Sequence, residues 1–299
     1  MKTLIKKILL FLLPVIIFAI GLEIIVESIP NSYSYKNNYM TSHAKEIKTL
    51  VLGSSNAYDG ICPTELPNGF NLANSGQALE EDYRLLSMYI DSMDSLEIVI
   101  LSMGYHSLLS SQTTSRRLYY TIYMHLYSRW PLSQFSFEIY DMPHAIQKIK
   151  EYIQTGDVTR CDSLGQRLYY EGTVDESGNR DMQIDFLSNH DSFEIIEKRD
   201  VIDSCANYLH LIDSMCQTHN VQLVIVQMPV LQQYKEQLPI EQIMLQDSLL
   251  SSVKPSAIYI NASEWPLTPE DCYNATHISK KKSIPFTREL YECIVSTTR

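Results

Sequence analysis

Thr49-Leu50-Val51-Leu52-Gly53-Ser54-Ser55 is the stretch on which the fold reading turns. With Ile47 and Lys48 ahead of it, it is a short apolar run closed by Gly-Ser-Ser, the pattern of a buried strand entering a tight turn. A second short strand is expected near Phe70-Asn71-Leu72, and Ala78 to Met88 carries helical periodicity after the breaker Gly76. Glu97 to Met103 is almost wholly apolar and predicts a third strand. Val201 to His219 predicts an amphipathic helix feeding a fourth strand, Val221 to Met228, which stops at Pro229; Leu231 to Leu250 reads as helix and Ser256 to Ile260 as a fifth strand. Continuously apolar strands that alternate with helices indicate a parallel sheet covered on both faces. The expected fold is a doubly wound α/β domain over 46–106 and 199–299.

Residues 107–198 break that rhythm. They are aromatic and polar, with short helices and no good strand expected, and are read as an insertion between the third and fourth strands that overhangs the carboxyl-end rim. Upstream, Lys2, Lys6 and Lys7 precede an apolar run from Ile8 to Leu22 that resumes after Glu23. A cationic flank before such a run is a membrane-targeting segment, and the bulky Ile20 between Ala19 and Gly21 favours an uncleaved anchor over a signal peptide. Lysines before the span and none after it until Lys36 place the N-terminus in the cytoplasm and the rest outside. Residues 1–30 are thus expected to be a cytoplasmic tip and transmembrane anchor, and the polar residues 31–45 a tether to the periplasmic or extracellular domain.

The 299 residues carry 24 Lys and Arg against 35 Asp and Glu, a net charge of -11 that repels a phosphate backbone and argues against nucleic-acid binding. Six widely spaced cysteines lack the density of a disulfide scaffold, although pairing stays open. With no CxxC, no HExxH and no helical i, i+4 histidine pair, no metal or organic cofactor is implied.

In an open parallel sheet, ligands bind at the carboxyl ends of the strands. The residues there are Gly53-Ser54-Ser55, Asn74-Ser75-Gly76 and Gly104-Tyr105-His106, with His277 beyond the fifth strand and ahead of the last helix. A hydroxyl, an imidazole and several loop amides are the parts that acyl transfer needs: nucleophile, proton acceptor and oxyanion donors.

These blocks resemble the SGNH or GDSL-type hydrolases. Gly53-Ser54-Ser55 has the form of that family's strand-Gly-Asp-Ser opening with Ser54 in place of Asp, which implies Ser55 as the nucleophile. Gly76, in Phe70-Asn71-Leu72-Ala73-Asn74-Ser75-Gly76, corresponds to the glycine that joins the oxyanion hole. Asn274-Ala275-Thr276-His277 matches the closing Asp-x-x-His except at the acid, and Gly104-Tyr105-His106 stands where Gly-x-Asn is expected. Order and context resemble the membrane-anchored branch found with bacterial cell-surface polysaccharide modification, similar to alginate O-acetylation proteins and the D-alanine-transfer protein of teichoic acids. The resemblance implies a flavodoxin-like, SGNH hydrolase-type sheet, with Asn74 or His106 assisting the Ser55 and Gly76 amides at the oxyanion.

Each residue has a plainer reading. Ser55 at a strand end suits a helix N-cap, His277 can stabilise the last helix, and His106 can simply pack. Asn274 can orient an imidazole but supplies no charge, and the wrong tautomer is a possible result; Asp271 is a substitute from the same loop. Tyr119, Tyr123 and Tyr127 recur at i, i+4 and i+8, a stripe suited either to lining a carbohydrate cleft or to packing.

The function expected is a membrane-anchored O-acyltransferase or esterase acting on acyl esters of a surface glycan, with an integral-membrane acyl donor as a possible partner. The alternative is a catalytically inactive glycan-binding or scaffold protein on the same fold.

Overall fold

The computed structural model describes residues 2–109, 114–128, 142–168, 199–253 and 256–297, so that 110–113, 129–141 and 169–198 of the expected insertion lie outside the described residues. The helices are α1 (Lys2–Ser28), α2 (Ser32–His43), α3 (Ser55–Gly60), α4 (Leu79–Tyr89), α5 (Thr114–Tyr123), α6 (Met142–Thr155), α7 (Arg199–Thr218), α8 (Gln232–Lys235), α9 (Ile240–Val253) and α10 (Lys280–Thr297). The strands are β1 (Thr49–Leu52), β2 (Gly69–Asn71), β3 (Ile98–Met103), β4 (Gln222–Gln227), β5 (Ile258–Asn261), β6 (Cys272–Asn274) and β7 (His277–Ile278). They fall into two compact units, Met1–Tyr39 with Thr113–Arg160, and Met40–Gln112 with Cys161–Arg299.

The second unit is built on a five-stranded parallel sheet of order β2-β1-β3-β4-β5. Leu50, Val51, Leu52, Val99, Ile100, Leu101, Val224, Ile225 and Val226 are sealed from solvent, as strands covered on both faces require. The order reverses between β1 and β3. Right-handed crossovers then put the β1–β2 connection, with α3, on one face and the later connections on the other. The packing agrees: α4 lies on α7 and α7 on α9, whereas α10 packs against α3 and β5.

The strands expected from the sequence are all present, shifted by no more than two residues at an end, and among the described residues none of the central sheet comes from 107–198. Three features differ from expectation. Leu231 to Leu250 is two helices, because Pro239 disfavours helical geometry in the residue before it; α9 starts afresh at Ile240. The tether is largely α2, whose first turn is capped by Asn31: Oδ1 accepts from the N–H of Tyr33 (3.0 Å) and of Ser34 (3.1 Å). Finally, Cys161 to Leu168 belongs to the sheet unit. The Asn71 N–H donates to the Leu164 carbonyl (2.9 Å) and the Arg167 N–H to the Tyr58 carbonyl (3.0 Å).

In the first unit α1 is long and apolar enough to cross a membrane over Leu10–Ser28. Leu118, Ile122 and Tyr123 of α5 pack with Tyr33 and Tyr119, and α6 packs on α1.

Candidate active site

The turn after β1 can be made only by glycine. Gly53 has φ +124, and a Cβ there would lie 2.6 Å from Ser102 Oγ and 2.9 Å from the Ser102 carbonyl oxygen on neighbouring β3. The turn makes Ser54 the N-cap residue of α3 and Ser55 its first helical residue. Ser54 makes no side-chain cap; its hydroxyl instead donates to Asn56 Oδ1 (3.3 Å). Ser55 therefore stands, half-buried, at the carboxyl end of β1 beside the point where the strand order reverses.

His277 reaches it from an element the sequence did not announce. Cys272–Asn274 and His277–Ile278 pair as an antiparallel hairpin, turning through Ala275 and Thr276. The Asn56 amide donates to the Thr276 carbonyl (2.7 Å) and the Leu231 N–H to the Ala275 carbonyl (2.9 Å), which docks the hairpin against α3 and the end of β4. His277 Nε2 lies 2.7 Å from Ser55 Oγ, and Nδ1 lies 2.8 Å from Asn274 Oδ1.

The tautomer follows from a backbone group. The Thr276 N–H can only donate, and it points at the Asn274 side chain at 3.0 Å, so the facing atom is the amide oxygen. The Thr276 hydroxyl meets the same oxygen at 3.2 Å. Asn274 Oδ1 and the Thr276 hydroxyl, the latter 2.9 Å away, both face Nδ1; Nδ1–H donating to Oδ1 pairs a donor with an acceptor and leaves Nε2 to accept from Ser55 Oγ. Asn274 thus secures the productive tautomer, but it brings no charge to an imidazolium. Desolvation pushes the His277 pKa down to about 3, with further lowering from the His106 ring and the Arg167 guanidinium. Asp271 does not stand in for the missing acid: Oδ2 accepts from the Thr268 N–H (3.0 Å) and lies 3.6 Å from Lys282 Nζ.

The Asn74-Ser75-Gly76 loop lies against the same turn. The Asn74 N–H donates to the Gly53 carbonyl (3.3 Å), its side-chain amide faces Gln77 Oε1 at 3.5 Å, and Gly76 takes φ +65. His106 Nε2 is 3.5 Å from Ser54 Oγ, and desolvation holds this ring too below the ordinary histidine range. Ser55, Gly76, Asn74, His106, Asn274 and His277 are thus gathered at one end of the sheet.

Arg167 is a participant that the motifs did not reveal. Its guanidinium grips buried Asp59 of α3 through Nη1 (3.2 and 3.1 Å), while Nη2 donates to Ser75 Oγ (2.9 Å) and the group lies 5.3 Å from the Tyr58 ring centroid. One side chain so ties the helix that carries Ser55 to the loop that carries Gly76. Gly165 permits this approach, since a Cβ there would sit 2.2 Å from the Asn71 carbonyl oxygen. A glycine after Asp162 is the signal for a tight turn, but nothing local says where that turn docks.

Tyr119, Tyr123 and Tyr127 lie in the other unit. Tyr119 stacks on Tyr33 at 5.3 Å between centroids, buried Tyr123 accepts a hydrogen bond from Lys148 Nζ (3.1 Å), and the Arg117 guanidinium covers the Tyr127 ring at 4.1 Å. These faces are occupied by packing within that unit, the plainer of the two expectations for the stripe. Among the described residues no cluster of three His, Cys, Asp or Glu could hold a metal ion, and all six cysteines are thiols.

No protein-family model and no curated protein matches this sequence. Among solved structures, the chain is similar to a GDSL-like lipase from Bacteroides thetaiotaomicron VPI-5482, with 8% identity, a TM-score of 0.44 and coverage of 89% of this chain and 100% of that one. It is also similar to a protein described as a candidate acylhydrolase from Bacteroides fragilis NCTC 9343, with 8% identity, a TM-score of 0.43 and coverage of 87% and 96%.

Proposed function

We propose that this protein is a membrane-anchored serine esterase or O-acyltransferase of SGNH type, acting on acyl esters of a cell-surface polysaccharide. The observation that carries the reading is the relay from Ser55 Oγ through His277 to Asn274, with donor and acceptor in the required order. Ser55 Oγ would attack the ester carbonyl as its proton passes to His277 Nε2. The electron pair moves onto the carbonyl oxygen, where the Ser55 and Gly76 amides would meet it. Collapse of that intermediate expels the alcohol, which takes the proton back from Nε2 and leaves an acyl-Ser55. Water then completes hydrolysis, or a sugar hydroxyl completes transfer.

Labelling of the full chain by a fluorophosphonate, followed by mapping of the modified residue, tests the reading. Modification at Ser55, lost in Ser55→Ala and in His277→Ala, is expected. A folded parent protein that resists the reagent and turns over no ester would leave the rival, a glycan-binding or scaffold protein on the same fold. The uncharged Asn274, with a histidine of low basicity, favours that second reading.

A further inference from the structure

Helix α6 presents its apolar residues the wrong way round for a helix of a soluble core. Its inward face holds Ala145 and Lys148, the latter donating to the Tyr123 hydroxyl. Ile146 and Ile153 are instead 58% and 76% exposed, and with Ile149 they form one stripe at i, i+3 and i+7, away from Gln147, Glu151 and Gln154. Helix α6 packs on α1. Along α1 the side chains from Leu10 to Phe18 and at Ile20 are exposed, whereas Glu23 and Val26 near its end, and Ile29 just beyond, are buried. The described residues of the unit that cover α1 are therefore gathered at its last turns, the level of the lipid headgroups.

Two further observations fit that level. Tyr33, Tyr119 and Tyr123 cluster there, the residue type that concentrates at a membrane–water boundary. From Glu23 onward the described residues of this unit carry six Lys and Arg against four Asp and Glu; Lys36 and Lys148 are buried, whereas Arg116, Arg117 and Lys150 are exposed, where they can face anionic headgroups.

We propose that α6 is an interfacial helix, lying in the leaflet from which the C-terminal end of α1 emerges, with Ile146, Ile149 and Ile153 seated among the acyl chains. The proposal rests on the reading of α1 as a membrane span, and its test keeps the two apart. In the full chain carrying Cys293→Ser, whose five remaining thiols are buried, a cysteine introduced in turn at Ile146, Ile153, Gln147, Gln154 or Phe11 is labelled with an environment-sensitive fluorophore, and the variant without an introduced cysteine gives the background. The protein is reconstituted in phosphatidylcholine vesicles holding about a quarter phosphatidylglycerol, with and without a doxyl-lipid quencher. Labels at Ile146 and Ile153 should be quenched about threefold more than those at Gln147 and Gln154, with Phe11 quenched as well. Phe11 quenched while Ile153 and Gln154 behave alike would overturn the interfacial helix and leave the span. A blue-shifted but unquenched label at Ile153 would mean that protein, from this chain or another, covers the stripe, and would overturn it too. No quenching at Phe11 would remove the span and the proposal with it. As a second readout, Ile146→Asn with Ile153→Asn should raise tryptic cleavage at Lys150 in vesicles several-fold; unchanged cleavage counts against the proposal.

Discussion

The backbone N–H of Gly53 donates to Asp82 Oδ1 over 2.8 Å, and the same oxygen accepts from the Gln77 side-chain amide over 2.6 Å. One buried carboxyl thus grips the turn that presents Ser55 and the loop that presents Gly76. The circuit closes through the Gln77 N–H on the Asn74 carbonyl (3.1 Å) and the Asn74 N–H on the Gly53 carbonyl (3.3 Å). Burial raises the Asp82 pKa to about 7, against the lowering effect of these two donors.

Asp82 should therefore shape the pH dependence of stability. Its pKa in the folded chain lies above the unfolded value of 3.8, so its contribution is fully present below pH 3.8 and is lost as pH rises towards about 7. Each tenfold change in proton affinity corresponds to ~1.4 kcal/mol, so the loss is a few kcal/mol at most. Asp82→Asn, which keeps the acceptor oxygen, should flatten this part of the profile. Melting temperatures of detergent-solubilised parent and variant between about pH 4 and 8 check it; parallel curves would contradict it.

Gly53→Ala should destabilise by roughly 2–4 kcal/mol, from positive-φ strain together with the clash at Ser102. Adding Ser102→Gly should recover only part of the loss, because the Ser102 carbonyl oxygen, 2.9 Å from the new Cβ, remains. Denaturant titration of the single and double variants decides; full recovery would show that the side-chain contact alone matters.

Asn274→Asp should raise both the basicity of His277 and the rate of acylation, since a carboxylate facing Nδ1 stabilises the imidazolium formed as Ser55 attacks. The parent His277 is neutral down to about pH 3, so the acid limb of kcat/KM for the parent should lie well below pH 6. In Asn274→Asp that limb should move to higher pH. A limb that stays in place would mean that His277 is not the group being titrated.

Arg167→Gln should lower kcat by roughly tenfold or more with a smaller change in KM, because α3 and the Ser75 loop lose their common tie. Stability should fall by roughly 1–3 kcal/mol, as buried Asp59 loses its ion pair with Arg167 while the half-exposed arginine limits the cost. Arg167→Lys should not restore the rate, since an ammonium cannot grip both Asp59 oxygens and reach Ser75 at once. Rescue by lysine would reduce Arg167 to a source of charge.

Topology is checked separately. Alkaline phosphatase fused after His43 should be active if the chain beyond α1 is outside the cytoplasm. An inactive fusion would remove the surface-polysaccharide substrate.

What the sequence determined by itself are the properties that repeat or that sit next to a marked position. Five apolar runs announced five strands, Gly-Ser-Ser placed Ser55 at the end of one and His277 fell beyond the last, while Asn274 was singled out only by the resemblance of Asn-x-x-His to a known closing block. Local periodicity and turn chemistry need no partner to be legible. Tertiary structure decided whatever depends on distant segments meeting. Ser55 and His277 are 222 residues apart, and Arg167 and Asp59 are 108 apart. No local pattern marks Arg167 or Asp82 as ties between the two loops of the site. The tautomer of His277 was decided in the same way. Asn274 lies only three residues away, yet which end of its amide faces the ring depends on the β6–β7 turn, which directs the Thr276 N–H at Oδ1. A hydrogen bond has direction, and direction comes from the folded backbone, not from the order of residues along it.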